Sequence, residues 1–463
     1  MHQTKFALAV LAAAVLAGCG GASGGDQALK VKYTAQVSFG DSLSDVGSYA
    51  VAGVAASGGG KFTINGDNTK INPELTGKNW TEHLAAQFGL PAPCAAETGL
   101  EGSVPSLQAP RVKHAGCFGY AMGGSRVTKP VGPNNKLAGG ALGALTVPVV
   151  TQIANHLAVS GGKFSGTEVV FVMAGGNDVL FLLGQLQTGA TDAGKKAGAD
   201  AGAKAFASNL ITALVANSTN PVTAAQAIGA AVATASAAPG ATSTSIVQAA
   251  VFAAANQPGN AAVGSPTVYG PLVAKAQADA TVTGNAAGAK AGAEYAAAQG
   301  PLLVAEMKKA GIELVAQVKD QIIAKGANNV VVNNLPDVAG TPSGLSKDAN
   351  TKALINAMVS TFNGELSAGL NGNAKVLLVD VYAVSHDQGV NPGPYGLTNV
   401  TETACDLSPA KNSLGSSLVC NGTNLKAGDV SHYSYADDVH PTPFNNLLLA
   451  RYVAKDMVVR GWL

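Results

Sequence analysis

The chain has 463 residues, more than one compact domain usually needs, so we expect either a large domain with an insertion or two domains. Apolar residues make up 47% of the chain and charged residues only 12%, which permits a sizeable core. Lys and Arg number 29 against 28 Asp and Glu. A formal net charge of +1 gives no electrostatic reason to expect nucleic acid or an anionic membrane surface as a partner.

The chain begins with a pattern typical of export. Residues 6–17 are apolar, too short a stretch to span a bilayer but fitting for a signal peptide. Residues 16–19 read Leu-Ala-Gly-Cys and resemble the lipobox of bacterial lipoproteins, in which the cysteine receives lipid. We expect a signal peptide at 1–18, a flexible Gly-rich tether at 19–33 and a lipid anchor on Cys19. The glycine after the cysteine fits outer-membrane sorting; the alternative is plain secretion with a chance cysteine.

Four cysteines remain for the folded part of the chain. They are Cys94, Cys117, Cys405 and Cys420. An even number in an exported protein predicts two disulfides, and three pairings are open. The local pairing, first with second and third with fourth, would close two moderate loops, each stabilising by about 3 kcal/mol.

Short apolar runs rich in valine predict the strands of a sheet. They cover residues 36–39, 168–174, 329–333 and 375–382. Such runs are typical of strands buried on both faces of a parallel sheet. Helical spacing separates them, with one helix predicted at Trp80–Phe88 and another from Val304 to a stop at Lys325-Gly326. The alternation predicts an α/β sheet with helices on both sides.

One connection between predicted strands is unusually long. About 150 residues separate Ala174 from Asn329, where a crossover normally needs a few tens. Most of the excess lies at 185–300, a stretch dominated by Ala and Gly. Alanine favours helix, glycine opposes it, and small side chains bury little, so we predict loosely packed helices with mobile links. The stretch could form a lid over an active site or a solvent-facing insertion, and the sequence does not decide between these two interpretations.

The first of four chemically informative segments follows the first strand. Residues 39–45 read Phe-Gly-Asp-Ser-Leu-Ser-Asp. They place Ser42 at the carboxyl end of a parallel strand, where α/β sheets usually hold their ligand chemistry. Ser44 or Asp45 is expected to cap a following helix. The Asp41 and Asp45 carboxylates are expected to organise the loop rather than react.

The second and third segments supply candidate hydrogen-bond donors. Residues 119–125 read Gly-Tyr-Ala-Met-Gly-Gly-Ser, and paired glycines let a backbone N–H approach a reacting oxygen. Residues 175–178 read Gly-Gly-Asn-Asp directly after a predicted strand, so Asn177 could aim its amide at the same oxygen. A Gly-Gly pair alone is weak evidence in a chain with 57 glycines.

The fourth segment holds a candidate general base. Asp437 and His440 are three residues apart, a spacing that lets a carboxylate reach Nδ1 of the imidazole and fix its tautomer. Asp438 is an alternative acid with poorer spacing. His432 and His386 are alternative bases, which we expect to lie on loops without a comparably placed acid.

Two other catalytic motifs, a nucleophile elbow and a phosphate-binding loop, find no support in the sequence. Residues 21–25 match Gly-x-Ser-x-Gly but lie in the tether, without the strand and helix that this elbow needs. No phosphate-binding loop of the Gly-Lys-Ser/Thr kind occurs in the sequence, so nucleotide hydrolysis has no support.

In this order, each beside a predicted strand end, the four segments resemble the GDSL, or SGNH, hydrolase family and especially its larger bacterial lipases and esterases. The resemblance implies a flavodoxin-like three-layer α/β/α sandwich with a central parallel sheet, formed by residues 34–184 and 301–463. Residues 185–300 would be the mainly helical insertion. Family members often carry Asn where this chain has Gly119, which leaves the anchoring of the second segment open; a bridged Cys117 would compensate.

The resemblance also implies roles. Ser42 would be the nucleophile and His440 the general base, oriented by Asp437. The N–H groups of Ser42 and Gly124 and the amide of Asn177 would form the oxyanion hole, each donor contributing about 3–4 kcal/mol. Reaction would pass through an acyl-enzyme on Ser42 and would need no metal or cofactor.

The leading hypothesis is therefore an exported esterase or lipase acting on small-molecule or lipid esters. Polysaccharide O-acetyl esterase activity is an alternative, ranked lower because aromatic residues that stack on sugars are only 5% of the chain. A non-catalytic surface lipoprotein on the same fold is a further alternative. A histidine base implies that activity falls in acid, through about pH 6–7.

Overall fold

The computed structural model describes residues 30–463. The expected signal peptide, the lipidation site Cys19 and most of the tether lie outside the described residues. The chain divides into two compact units. One comprises the described residues up to Asp178 together with Lys308–Leu463, and the other is Val179–Met307.

In the described part of the chain, the strands are β1 (Gln36–Gly40), β2 (Glu97–Glu101), β3 (Gln108–Lys113), β4 (Val169–Met173), β5 (Asn329–Asn333), β6 (Val376–Val379), β7 (Asn399–Thr403) and β8 (Tyr433–Tyr435). The α-helices are α1 (Ala52–Ala56), α2 (Trp80–Gln87), α3 (Val149–Val159), α4 (Gly176–Leu214), α5 (Pro221–Ala237), α6 (Ser243–Ala255), α7 (Pro266–Ala316), α8 (Pro342–Leu345), α9 (Ala349–Leu370), α10 (Val381–Val390) and α11 (Pro443–Arg460).

The central sheet is built from the four predicted apolar runs. Its strands pair in parallel in the order β1-β4-β5-β6, with Val169 of β4 in register with Gln36 on one side and Asn329 on the other. Every residue of β1 and β4 is buried. This confirms the prediction of a parallel sheet whose strands are covered on both faces.

Helices cover the two faces of this sheet. On one face, side chains of β4, β5 and β6 form a core with α2 and α11, whose buried members include Trp80, Leu84, Phe171, Val453 and Met457. On the other face, Phe39 of β1 meets His156 of α3, with ring centroids 5.8 Å apart. Complete burial of a side chain such as Phe171 stabilises the fold by about 2–3 kcal/mol. The unit is a three-layer α/β/α sandwich, as expected.

Local sequence explains where the helices of this core begin. The Asn79 side chain accepts from the N–H of Glu82, and the Glu82 carboxylate accepts from the N–H of Asn79, a capping box that starts α2. The Thr442 side chain caps α11 by accepting from the Asn445 N–H, and Pro443 stands at the first helical position. The helix predicted around Trp80 is confirmed.

Both disulfides follow the local pairing. Cys94 is bonded to Cys117, with Cα atoms 5.1 Å apart, and Cys405 to Cys420, with Cα atoms 6.1 Å apart. Disulfides of this kind are typical of proteins that fold outside the cytosol, so an extracellular or periplasmic location is favoured.

The helical unit packs more closely than predicted. Its long helices α4 and α7 have 39 and 51 residues. A Cβ atom on Gly198 of α4 would lie 2.9 Å from the Gly284 carbonyl oxygen of α7, and one on Gly288 would lie 2.8 Å from that of Gly194. Glycine allows the two backbones to touch. The expectation of loosely packed helices is therefore wrong along this contact.

The predicted helix from Val304 starts much earlier than expected. It is the last part of α7, which begins at Pro266 and continues through Pro271 and Pro301. The helix then becomes a π-helical stretch at Gln317–Ile323, and the chain turns at Gly326, which has a φ of +113°. Among residues 30–463, no helix combines the length and apolar character needed to cross a membrane.

Candidate active site

The turn after β1 presents Ser42. Gly40 has a φ of +151°, and a Cβ atom there would overlap the carbonyl oxygen of Met173, so this position requires glycine. Gln152 of α3 clamps the same residue: its Oε1 accepts from the Gly40 N–H and its Nε2 donates to the Gly40 carbonyl, both at 2.8 Å. Ser42 then begins a single 3₁₀ turn and is half-buried.

Asp41 caps this 3₁₀ turn, with Oδ1 accepting from the Leu43 N–H at 3.1 Å. Ser44 and Asp45 do not cap a following helix as expected, because the next helix, α1, begins at Ala52 and has no side-chain cap. Asp41 is only 3% exposed. Burial raises the pKa of Asp41 to about 7; nearby Asp178 and Asp45 add to the rise, and the Leu43 N–H and His440 oppose it.

Ser42, His440 and Asp437 form one hydrogen-bonded row. His440 Nε2 lies 2.8 Å from Ser42 Oγ, and His440 Nδ1 lies 2.8 Å and 2.9 Å from the two carboxylate oxygens of Asp437. An ionised carboxylate only accepts, so Nδ1 carries the proton and Nε2 of the neutral ring is left to accept from the serine hydroxyl. The His440 side chain is 13% exposed, and Phe62 packs against its ring at 4.8 Å between centroids.

Backbone donors hold the Asp437 carboxylate. Its Oδ2 accepts from the Ser417 N–H at 2.7 Å, and its Oδ1 accepts from the N–H groups of Val439 and His440 at 3.1 and 2.8 Å. Burial disfavours the charge, but His440 and the Ser417 N–H outweigh it, so the pKa of Asp437 lies well below its ordinary value. Asp437 is thus the charged orienting group of this row.

The alternative residues lie elsewhere. Asp438 is exposed, and among residues 30–463 its carboxylate forms no hydrogen bond with His440. His432 lies in a turn, stacked on Phe444 at 4.1 Å with Nδ1 2.8 Å from the Gly396 carbonyl oxygen.

The expectation that His386 lies on a loop is wrong, and although no acid lies three residues before it, a distant one is bonded to it. It lies on α10 rather than on a loop, and its Nδ1 is 2.7 Å from Asp337 Oδ2. The two residues are 49 positions apart in sequence, so no local spacing reveals the pair. Stacking on Tyr382, with ring centroids 5.8 Å apart, also fixes the imidazole.

The second segment is bound to the loop that carries Ser42. The Gly123 N–H donates to Asp45 Oδ2 at 2.9 Å, and the other Asp45 oxygen accepts from the N–H groups of Gly47 and Ser48. Gly124 follows with a φ of +78°. In residues 30–463, the N–H groups of Ser42 and Gly124 find no acceptor. Two backbone donors on adjoining segments therefore stay available to a substrate oxygen.

Asn177 lies in the first turn of α4, next to the second segment. Its Nδ2 donates to the Ser125 carbonyl oxygen at 3.0 Å, and the residue is 6% exposed. This bond uses one of the two amide hydrogens. Asp178 ties the segments together, accepting from Arg126 Nε at 2.8 Å and from the Val127 N–H at 3.0 Å.

Gly119 is anchored despite the missing family asparagine. Its N–H donates to the Cys94 carbonyl at 3.1 Å and its carbonyl accepts from Ala96 at 2.8 Å. The Cys94–Cys117 disulfide closes this region. Backbone pairing and a covalent bridge thus hold the start of the second segment.

Sequence reasoning missed two residues that hold the site. Gln152 is 112 positions from the glycine it clamps, and Ser417 acts through its backbone N–H, so neither has a local signature. Ser417 lies three residues before the bridged Cys420, and the Asn65 side chain donates to its carbonyl.

No protein-family model matches the chain. The chain is similar to the GDSL esterase/lipase APG of Arabidopsis thaliana, with 25% identity over 141 residues. The match covers 28% of this chain and 39% of that protein, so the chain spans about two fifths of the length of this curated relative. This similarity supports a hydrolase of the GDSL type.

Proposed function

We propose that this chain hydrolyses carboxylic esters through an acyl-enzyme on Ser42. The observation that carries the proposal is the unbroken row from the Ser42 hydroxyl through His440 to the buried Asp437 carboxylate, with each link at 2.8–2.9 Å. A serine hydroxyl is a weak nucleophile at its own pKa, and an adjacent oriented base is the usual way to activate it.

Each proton transfer in the proposed reaction has a defined donor and acceptor. Ser42 Oγ attacks the ester carbonyl carbon while its proton moves to His440 Nε2, and Asp437 stabilises the imidazolium that forms. Collapse of the tetrahedral intermediate breaks the bond to the alcohol oxygen, which takes the proton from His440. Water then attacks the acyl-enzyme by the same route and releases the carboxylic acid and free Ser42.

The negative oxygen of the intermediate needs donors, and three groups are suited to supply them. The Ser42 and Gly124 N–H groups have no acceptor in the described part of the chain, and the Asn177 amide has a second hydrogen beyond the one given to Ser125. In a site shielded from water, one such donor contributes about 3–4 kcal/mol to transition-state stabilisation.

The test is ester hydrolysis by purified protein and by Ser42→Ala. We expect the wild type to release nitrophenol from p-nitrophenyl butyrate and the variant to lose about 10⁵- to 10⁶-fold in kcat. Thermal unfolding of both proteins shows whether the variant is folded. A folded Ser42→Ala protein that keeps the wild-type rate rules out this function.

We also propose that Cys19 carries a lipid. Support comes from the Leu-Ala-Gly-Cys pattern at 16–19 and from the two disulfides, which fit an exported protein. Expression in a bacterium with an alkyne-tagged fatty acid should label the wild type and leave Cys19→Ala unlabelled. Equal labelling of the two, or of neither, contradicts the anchor.

A further inference from the structure

A small cavity lies at the carboxyl edge of the central sheet. Its volume is about 70 Å³. Leu43 and Pro441 both line it, and they are the residues that follow Ser42 and His440 in the chain. Met173, the last residue of β4, forms another part of the wall. The cavity therefore adjoins the two segments that carry the reacting serine and base.

The wall of this cavity is mainly apolar. Its apolar members also include Pro336, Val381, Val384, Val439 and Leu449. Most polar side chains in the wall already have partners: Asp337 accepts from Gly340 N–H, Thr341 donates to the Val338 carbonyl, and Asn445 donates to Ser434. These groups are not free to bind a ligand strongly.

Gln388 is, with Tyr435, one of two polar residues of this wall whose side chains form no hydrogen bond within residues 30–463. It lies on α10, lines the cavity and is only 6% exposed. Its side-chain amide forms no hydrogen bond with any of residues 30–463. An amide that lines an otherwise apolar wall without a protein partner is open to whatever fills the cavity, and this favours a ligand that supplies a polar atom there.

The volume limits what can enter. A cavity needs roughly 10–15 Å³ to hold one water molecule, so about 70 Å³ has room for on the order of five heavy atoms. That matches an acyl tail of about three carbons and one oxygen, and a longer chain has to extend beyond the cavity.

We propose that this cavity is the acyl pocket, and that it takes a short acyl chain bearing a hydroxyl group, such as a 3-hydroxybutyryl group. The carbons occupy the apolar wall and the hydroxyl bonds to the Gln388 amide. The inference rests on the proposed ester hydrolysis at Ser42. A butyryl group fills the same space but leaves the amide without a partner, and an octanoyl group extends beyond the apolar wall.

The experiment compares acyl groups on one leaving group. The substrates are p-nitrophenyl esters of butyrate, octanoate and each enantiomer of 3-hydroxybutyrate. We expect the wild type to prefer one hydroxybutyryl enantiomer over butyryl by about tenfold in kcat/KM. Gln388→Leu should bring that ratio to about one, because leucine fills similar space without the amide. Octanoate should be the poorest substrate of the wild type.

A second variant tests the location of the acyl chain. Val384, on the same helix, lines the cavity without being polar. Val384→Phe should fill the cavity and lower kcat/KM for butyryl and hydroxybutyryl esters by about tenfold or more relative to p-nitrophenyl acetate. This readout, with the wild-type preferences, decides the proposal even when Gln388→Leu does not fold.

The outcomes separate this inference from the proposed function. Equal rates on butyryl and hydroxybutyryl esters, a preference for octanoate, or an unchanged ratio in folded Gln388→Leu overturns the acyl pocket while ester hydrolysis at Ser42 stands. A wild type that hydrolyses none of these esters and whose Ser42 resists a fluorophosphonate overturns both.

Discussion

Two Asp–His pairs in this molecule have almost the same hydrogen bond and very different surroundings. Nδ1 of His440 lies 2.8 Å from Asp437, and Nδ1 of His386 lies 2.7 Å from Asp337. The His440 side chain is 13% exposed, and its other nitrogen meets Ser42. The His386 side chain is 56% exposed, and within residues 30–463 its other nitrogen forms no hydrogen bond.

The difference shows that the Asp–His bond by itself does not make a base for catalysis. Asp437 is enclosed, and its carboxylate accepts hydrogen bonds from the backbone N–H groups of three residues. These bonds fix the carboxylate independently of the imidazole ring. A serine on another element then completes the row. Enclosure and the third partner distinguish the reactive pair, so variants of the two pairs should behave very differently.

A large contrast is expected between the two carboxylates. Asp437→Asn should lower kcat about 10⁴-fold, since an amide favours the wrong imidazole tautomer while it keeps the shape. Asp337→Asn is the matched control; because this carboxylate lines the proposed acyl pocket but does not meet the reacting serine, the variant should lose far less kcat than Asp437→Asn. Steady-state kinetics on p-nitrophenyl butyrate measures both. Equal losses in the two variants would remove the distinction between the pairs.

A smaller loss of kcat is expected from removing one donor to the negative oxygen of the intermediate. Of the two Asp–His pairs, only Asp437–His440 acts together with these donors, because it contacts Ser42. Asn177→Ala should lower kcat about 10²- to 10³-fold and leave KM nearly unchanged, because the lost donor acts mainly on the transition state. Circular dichroism should show a folded protein. A rise in KM with an unchanged kcat would place Asn177 in ground-state binding instead.

A pH dependence of stability is expected from the carboxyl group beside the buried pair. The folded-state pKa of Asp41 is raised to about 7 from 3.8. Between about pH 4 and 7 the folded protein keeps a proton that the unfolded chain has lost. The stability from this group is complete below about pH 4 and is lost as pH rises, by about 1.4 kcal/mol per pH unit.

Asp41→Asn isolates this effect because asparagine still accepts from the Leu43 N–H. Urea unfolding at pH 5, 6 and 7 should show that the free energy of unfolding of the variant, relative to that of the wild type, increases by about 1.4 kcal/mol per pH unit. Parallel stability curves for the two proteins would show that Asp41 is ionised throughout this range.

The smallest effect is expected at the exposed pair itself. His386→Ala should change kcat less than about twofold, whereas His440→Ala, the matched change, should lose about 10⁵-fold or more. Both rates come from the same ester assay. A large loss in folded His386→Ala would give the second pair a part in the reaction.

Much of the fold and the candidate site could be predicted because the signals are local. Valine-rich runs predict the buried strands, the segment after the first run places Ser42 at a predicted strand end, and a spacing of three residues identifies the Asp437–His440 pair. The Asp337–His386 pair could not be found in this way, since its members lie on different elements that only the folded sheet brings together.

The helical unit shows the same limit for packing. Single glycines in a helix predict an unstable helix, because glycine lowers helix propensity at its own position. The close packing that glycine allows depends on a second helix that is distant in sequence. The spacing of Gly194, Gly198 and Gly202 on α4 becomes informative only opposite Gly284 and Gly288 of α7. Gln152 and Ser417 were missed for the same reason, because their partners are distant in sequence.

The most direct test of the account is labelling by a fluorophosphonate, which reacts with a serine only when its hydroxyl is activated. Intact mass and peptide mapping should find one adduct, on Ser42, in the wild type and in His386→Ala, and none in folded His440→Ala. An adduct on another serine, or none on Ser42 in the folded wild type, would contradict the assignment of Ser42, His440 and Asp437 as the reacting group.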